Sequence, residues 1–144
     1  MLTVSEMMGI ARHTAEKQGV DPALFMALCE HESGGWRWAA TRYEDGFYNR
    51  YVSPEKMPTV KTWGICSKDT ERRDRATSFG LGQIMGQTAR EFGFSGEFLS
   101  ELLDPETGLD FACRKLRSCL SKTETVEAAL LRYNGGSNPD YPAL

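Results

Sequence analysis

The sequence predicts a mainly α-helical fold, one domain over residues 1–144, broken by a long irregular insert rich in aromatic residues. Three observations carry this. Five segments read as helices from apolar spacing and from the capping residues or glycines at their ends. Between residues 37 and 77 that periodicity fades while aromatic and polar residues accumulate. Finally, 144 residues suffice for one core and are too few for two ordinary domains.

Thr3 and Glu6 have the spacing of a capping box, so the first helix is expected over residues 3–18, closed by Gly19, with Met7, Ile10, Ala11 and Thr14 inward and His13 toward solvent. Asp21 and Pro22 open a second helix: a side-chain oxygen satisfies a free N–H there, and proline has none to leave unpaired. It runs to about Glu32. Leu28 and Phe25, four and seven residues earlier, set that acid on the inner apolar face. Desolvation and the negative end of the helix dipole both disfavour its charged form, so Glu32 is expected to keep its proton above the ordinary glutamate range. Glu30, two residues away, is turned off this face. Ser33, Gly34 and Gly35 stop the helix, and the glycines let a ligand approach the backbone.

The stretch from Arg37 to Thr77 carries Trp38, Tyr43, Phe47, Tyr48, Tyr51 and Trp63, with Pro54 and Pro58. It reads as a wall or lid holding at most a short strand or two. Its rings suit the apolar faces of sugars, and equally suit anchoring the loop to the core. The run KDTERRDR (68–75) reads as a solvated loop. Ser78 opens a glycine-spaced turn, SFGLGQIMG, where Gln83 can both donate and accept hydrogen bonds. A short helix over Gln87 to Phe92 follows, ended by Gly93. Asp104 and Pro105 open the next, whose stripe Leu109, Ala112, Cys113, Leu116 and Leu120 is core spacing with no chemistry assigned. The last helix, Thr125 to Tyr133, is expected to bury Val126, Ala129, Leu130 and Tyr133 and to end at Asn134, Gly135 and Gly136. SNPDYPAL beyond it reads as a tail or the start of a further element.

Composition narrows the function classes. Hydrophobic residues at 40% and charged residues at 26% are the balance of a soluble globular protein, without extended disorder. A net charge of −3 with no massed basic block argues against nucleic acid as a partner. No apolar run approaches the roughly 20 residues that span a bilayer. Residues 1–19 lack the basic and apolar regions of a secretory signal, so either the protein starts in the cytoplasm or a signal has been removed, and Met1 favours the former. Cys29, Cys66, Cys113 and Cys119 have no CxxC spacing and only two histidines accompany them, so no metal and no cofactor are expected. Cys113 and Cys119 would lie about 9 Å apart along one helix, too far for a disulfide. Cys66 would find a partner only in an oxidising compartment. All four are expected to be free and mostly buried.

Four stretches then fall into a known order: EHESGGW with Glu32 and Ser33, SFGLGQIM over Ser78 to Met85, DPETGLDFACRKL, and AALLRYNGG over Ala128 to Gly136. Together they resemble the soluble-type (SLT) lytic transglycosylase domain, related to goose-type lysozyme. The resemblance implies a lysozyme-like helical fold acting on peptidoglycan glycan strands as a monomer. Carried over residue by residue, it implies Glu32 as the catalytic acid and Ser33 as a hydroxyl near the substrate's acetamido group. Gln83, Tyr133 and Asn134 would line the cleft. Gly82 stands where the family often has methionine, and Gly135-Gly136 where it usually has alanine-glycine.

A single acid suffices where the substrate supplies the second group. Most glycosidases need two carboxylates. A 2-acetamido oxygen can instead attack the anomeric carbon, after which the deprotonated acid draws the proton from the muramic acid 6-hydroxyl and closes a 1,6-anhydro ring. The resemblance thus implies lytic cleavage of the MurNAc-GlcNAc β-1,4 bond. Two alternatives stay open: a goose-type-like muramidase using Glu44 or Asp45 as second carboxylate to activate water, and a glycan-binding domain that no longer catalyses. RYEDGFYNRYV is similar to stretches of phage and prophage members, and the expected route to the wall is a phage particle, phage lysis or a secretion machine.

Overall fold

The computed structural model describes residues 1–61 and 65–135; Trp63, Gly136 and the SNPDYPAL tail lie outside the described residues. Helix α1 (Val4–Gln18) starts on the expected capping box, with Thr3 N donating to Glu6 Oε2 at 2.9 Å and Glu6 N to Thr3 Oγ1 at 3.1 Å. It ends at Gly19 in the left-handed region, φ 76°. Helix α2 (Pro22–Glu32) is capped by Asp21, which accepts from Ala23 N at 3.0 Å. Both follow the sequence reading closely.

Helix α6 (Pro105–Ser121) is the central element: α1, α7 (Val126–Gly135) and the 3-10 turn Leu99–Leu103 all pack on it. Leu109, Ala112, Cys113, Leu116 and Cys119 form its buried stripe and meet Phe25, Leu28, Ala129 and Tyr133 in one core, while Leu120 is only half-buried. Burial of Phe25 or Leu28 stabilises by about 1.5–3 kcal/mol each, and each unit of pKa shift on a carboxyl costs about 1.4 kcal/mol. α2 can therefore hold its terminal acid partly out of water without losing its seat. All four cysteines are buried and free.

The stretch 37–77 is more ordered than its sequence suggests. It contains β1 (Thr41–Tyr43), a single helical turn α3 (Asp45–Phe47), a π-helical turn (Tyr48–Val52) and α4 (Lys68–Arg75). β1 pairs antiparallel with β2 (Thr77–Phe79), which pairs with β3 (Ile84–Met85); Arg42 lies opposite Ser78, and Ser78 opposite Met85. The glycine motif is thus a β-hairpin onto which the insert adds a strand. The short helix α5 (Gly86–Glu91) follows directly.

The reading of KDTERRDR as a solvated loop is wrong. Ser67 caps α4 by accepting from Thr70 N at 3.1 Å, and Glu71 and Arg72 are buried. Glu71, with no exposed side-chain surface, binds Arg75 at 2.7 Å and Arg90 at 3.0 Å; Arg90 also donates to the carbonyls of Phe94 and Gly96. The inner face of α4 is ionic, so its apolar count says nothing about its burial. Two expectations for α7 also need correction. Val126 is 44% exposed, because it stands in the first turn behind the Thr125 hydroxyl that accepts from Ala128 N. The helix also continues through Asn134 and Gly135, where the sequence suggested its end.

Candidate active site

The end of α2 is shaped by an unusual turn. Gly34, Gly35 and Trp36 are all left-handed, with φ 67°, 94° and 66°. Glycine adopts this freely, but tryptophan pays a steric penalty of about 1–2 kcal/mol. Burial of the indole and a hydrogen bond from Trp36 N to Ser33 Oγ, 2.8 Å, hold it there. The Ser33 hydroxyl itself is buried and donates to the Cys29 carbonyl at 2.7 Å. It is committed to the turn. Gln83 is the other non-glycine residue with positive φ among the described residues, 48°. Its Nε2 donates to the carbonyls of Ala40 and Gly80, both at 3.0 Å, which ties the hairpin turn to the segment entering β1. Backbone strain at two such points, each within a motif singled out from the sequence, is typical of a site whose geometry is enforced by its surroundings.

Glu32 is half-buried at the last position of α2. Burial pushes its pKa above the ordinary glutamate value, and the positive charges of Lys115, His31 and Arg42 pull it partly back. Among the described residues, the charges that shift it are these three cations. Glu44 is paired with Arg42 at 2.9 Å. Asp45 is exposed at the start of α3.

Tyr133 closes the other side. It is buried, its hydroxyl donates to the Gly82 carbonyl at 2.6 Å, and burial with the nearby Cys29 and Glu32 charges pushes its pKa far up, so it stays a neutral donor. This bond joins the hairpin turn to α7 and places Gly82 beside Tyr133. Asn134 is buried too, and its Nδ2 has no hydrogen-bond partner among the described residues. A buried amide donor without a partner costs about 1–3 kcal/mol and fits a place where a ligand oxygen arrives.

Gly82 shows why methionine is absent there. A Cβ at this position would lie 2.3 Å from Ala112 Cβ and 3.3 Å from the Tyr133 hydroxyl oxygen. Gly82→Ala is therefore expected to destabilise by about 1–3 kcal/mol and to slow turnover by displacing Tyr133. Thermal melts and assays of the folded variant check both.

Lys115, to which the sequence assigned no chemistry, belongs to the site. Its Nζ donates to the Tyr133 carbonyl at 2.7 Å and sits 4.2 Å from the centre of the Tyr133 ring. A signal was available, since Lys115 follows Ala112 by three and precedes Cys119 by four and so shares their inward face.

Fold and site together define the class as a mainly helical, lysozyme-like domain, in which a partly desolvated Glu32 and the buried Tyr133-Asn134 pair stand within the stretches singled out from the sequence. The family follows: the model of the Transglycosylase SLT domain matches residues 9–142, and the chain belongs to that family, the lytic transglycosylases that cleave glycosidic bonds in peptidoglycan. Among curated proteins and among solved structures, nothing matches the chain.

Proposed function

We propose that the chain cleaves the MurNAc-GlcNAc β-1,4 bond without water, with Glu32 as general acid and then general base. Glu32 gives its proton to the glycosidic oxygen as the bond to the muramic anomeric carbon breaks, and the 2-acetamido carbonyl oxygen bonds to that carbon. The Glu32 carboxylate then takes the proton of the 6-hydroxyl. O6 attacks the same carbon, the acetamido oxygen leaves, and the 1,6-anhydro ring closes with every proton accounted for. The observation that carries this reading is a partly buried glutamate whose pKa burial raises and which, among the described residues, is shifted by cations and by no second carboxylate. A hydrolase needs a partner acid to activate water. Glu44, the nearer candidate in sequence, is instead engaged with Arg42.

In this reading the orphaned Asn134 amide donates to a sugar oxygen, and Gln83 Oε1 accepts from a sugar hydroxyl while its amide nitrogen holds the Ala40 and Gly80 carbonyls. Ser33 acts by shaping the turn behind the acid. Trp38, Tyr43 and Tyr51, each more than one-third exposed, extend the contact along the strand. The domain reaches the wall through a phage particle, phage lysis or a secretion machine; a gene lying outside any such cluster would count against this route.

Mass spectrometry of muropeptides from purified peptidoglycan tests the reaction. Wild type is expected to yield ends in 1,6-anhydro-muramic acid, and Glu32→Gln none. Products one water heavier would make the enzyme a muramidase and turn attention to Glu44 and Asp45. Binding without products would leave a glycan-binding domain.

A further inference from the structure

We propose that Lys115 is a positioning residue for the reaction: its ammonium clamps the end of α7 that carries Tyr133 and Asn134, and its charge stabilises the carboxylate that Glu32 becomes when it releases its proton. The proposal rests on Glu32 as the acid. The clamp is visible as the 2.7 Å bond to the Tyr133 carbonyl and the ammonium over the same ring. A charged donor to a carbonyl is stronger than a neutral one, and this carbonyl lies one peptide from Asn134.

The electrostatic half follows from what surrounds Glu32. Cys29 and His31 lie on its own helix, Arg42 on β1, Lys115 on α6 and Tyr133 on α7. Of the three cations, His31 is exposed, while the Arg42 side chain is 66% exposed and already paired with Glu44. Solvent and salt weaken both. Lys115 is partly exposed as a residue, yet its ammonium is enclosed enough for burial to lower its pKa, so its field reaches Glu32 with less screening. Around Lys115 stand Cys119 on α6, Lys122 just past its end, Arg132 and Tyr133 on α7, and Glu91 on α5.

The absence of a direct ion pair between Lys115 and Glu32 is part of the device. A bonded ammonium would hold the acid ionised and leave no proton to give. A cation at one remove offsets only part of the upward push of burial on the acid and still attracts the carboxylate as it forms.

The test is a 13C NMR titration of the Glu32 carboxyl, assigned by difference with Glu32→Gln, together with the pH profile of kcat/KM on peptidoglycan. In Lys115→Gln and Lys115→Met the Glu32 midpoint and the alkaline limb of activity are expected to move up together, because the cation that favours the charged form is gone. kcat should fall by about tenfold, the scale of one lost stabilising interaction in the transition state. Lys115→Arg keeps the charge and should leave the midpoint in place. A midpoint unchanged in either neutral variant that retains a cooperative melt would overturn the proposal, and so would lost activity with an unmoved limb. Activity retained by Glu32→Gln would sink the acid assignment instead, while the titration would still read the Lys115 coupling.

Discussion

Glu32→Gln is expected to lower kcat by a factor of at least about 10²–10⁴ while leaving the fold and glycan binding intact. The side chain serves both as proton donor and as proton acceptor, and an amide does neither at neutral pH. Because no hydrogen bond or ion pair holds the Glu32 carboxyl among the described residues, glutamine strands no partner. Stability should even rise slightly, with a defined pH signature. Burial raises the folded-state pKa of Glu32 above the ordinary glutamate value. Wild type therefore loses stability as the pH climbs from the ordinary glutamate range through the raised value, since ionisation is easier in the unfolded chain. The variant has no such loss, so its advantage appears above that window and vanishes below it. Denaturant titrations at acid and neutral pH read the difference, and a variant less stable than wild type at neutral pH would contradict the desolvated acid.

Glu71→Ala carries the largest expected cost in stability, about 3–5 kcal/mol, because removing one member of a buried ionic cluster leaves its partners charged and enclosed. One carboxylate here serves two guanidiniums: Arg75 Nε at 2.7 Å and Arg90 Nε and Nη2 both at 3.0 Å, with the arginine side chains 11% and 5% exposed. Those arginines reach further. Arg75 donates to the Lys61 carbonyl and to Gln87, and Arg90 to the carbonyls of Phe94 and Gly96, so the cluster joins α4 to α5 and to two connecting segments. The melting temperature should fall on the order of 10 °C. Because α4 runs straight into β2, the strand behind the Gly82-Gln83 turn, activity should be lost at a lower temperature than in wild type. A melt within 2 °C or so of wild type would show that the cluster is solvated in solution.

Three helices, α1, α2 and α6, were legible because their signals are local. A capping box at Thr3 and Glu6, a cap at Asp21 with Pro22, and another at Asp104 with Pro105 each act within one turn of chain. The position of Glu32 on the face of Leu28 and Phe25 needs only helical periodicity. What failed was the segment whose interior face is ionic. In KDTERRDR, hydrophobic periodicity has nothing to register, and Glu71 is buried only because Arg90, nineteen residues along the chain, arrives to meet it. Lys115 was half legible: its place in an inward stripe could be counted, but its partners could not.

The sequence alone determined the helical class, the place of Glu32 on the inner face of its helix and the motif order, since these depend on contacts between near neighbours in the chain. The tertiary structure decided how far burial raises the acid's pKa, which cations act on it, and how the Tyr133 hydroxyl and the Gly82 carbonyl come together across 51 residues of separation. Desolvation and Coulomb interactions depend on what surrounds a group in space, and that is fixed only when distant segments pack.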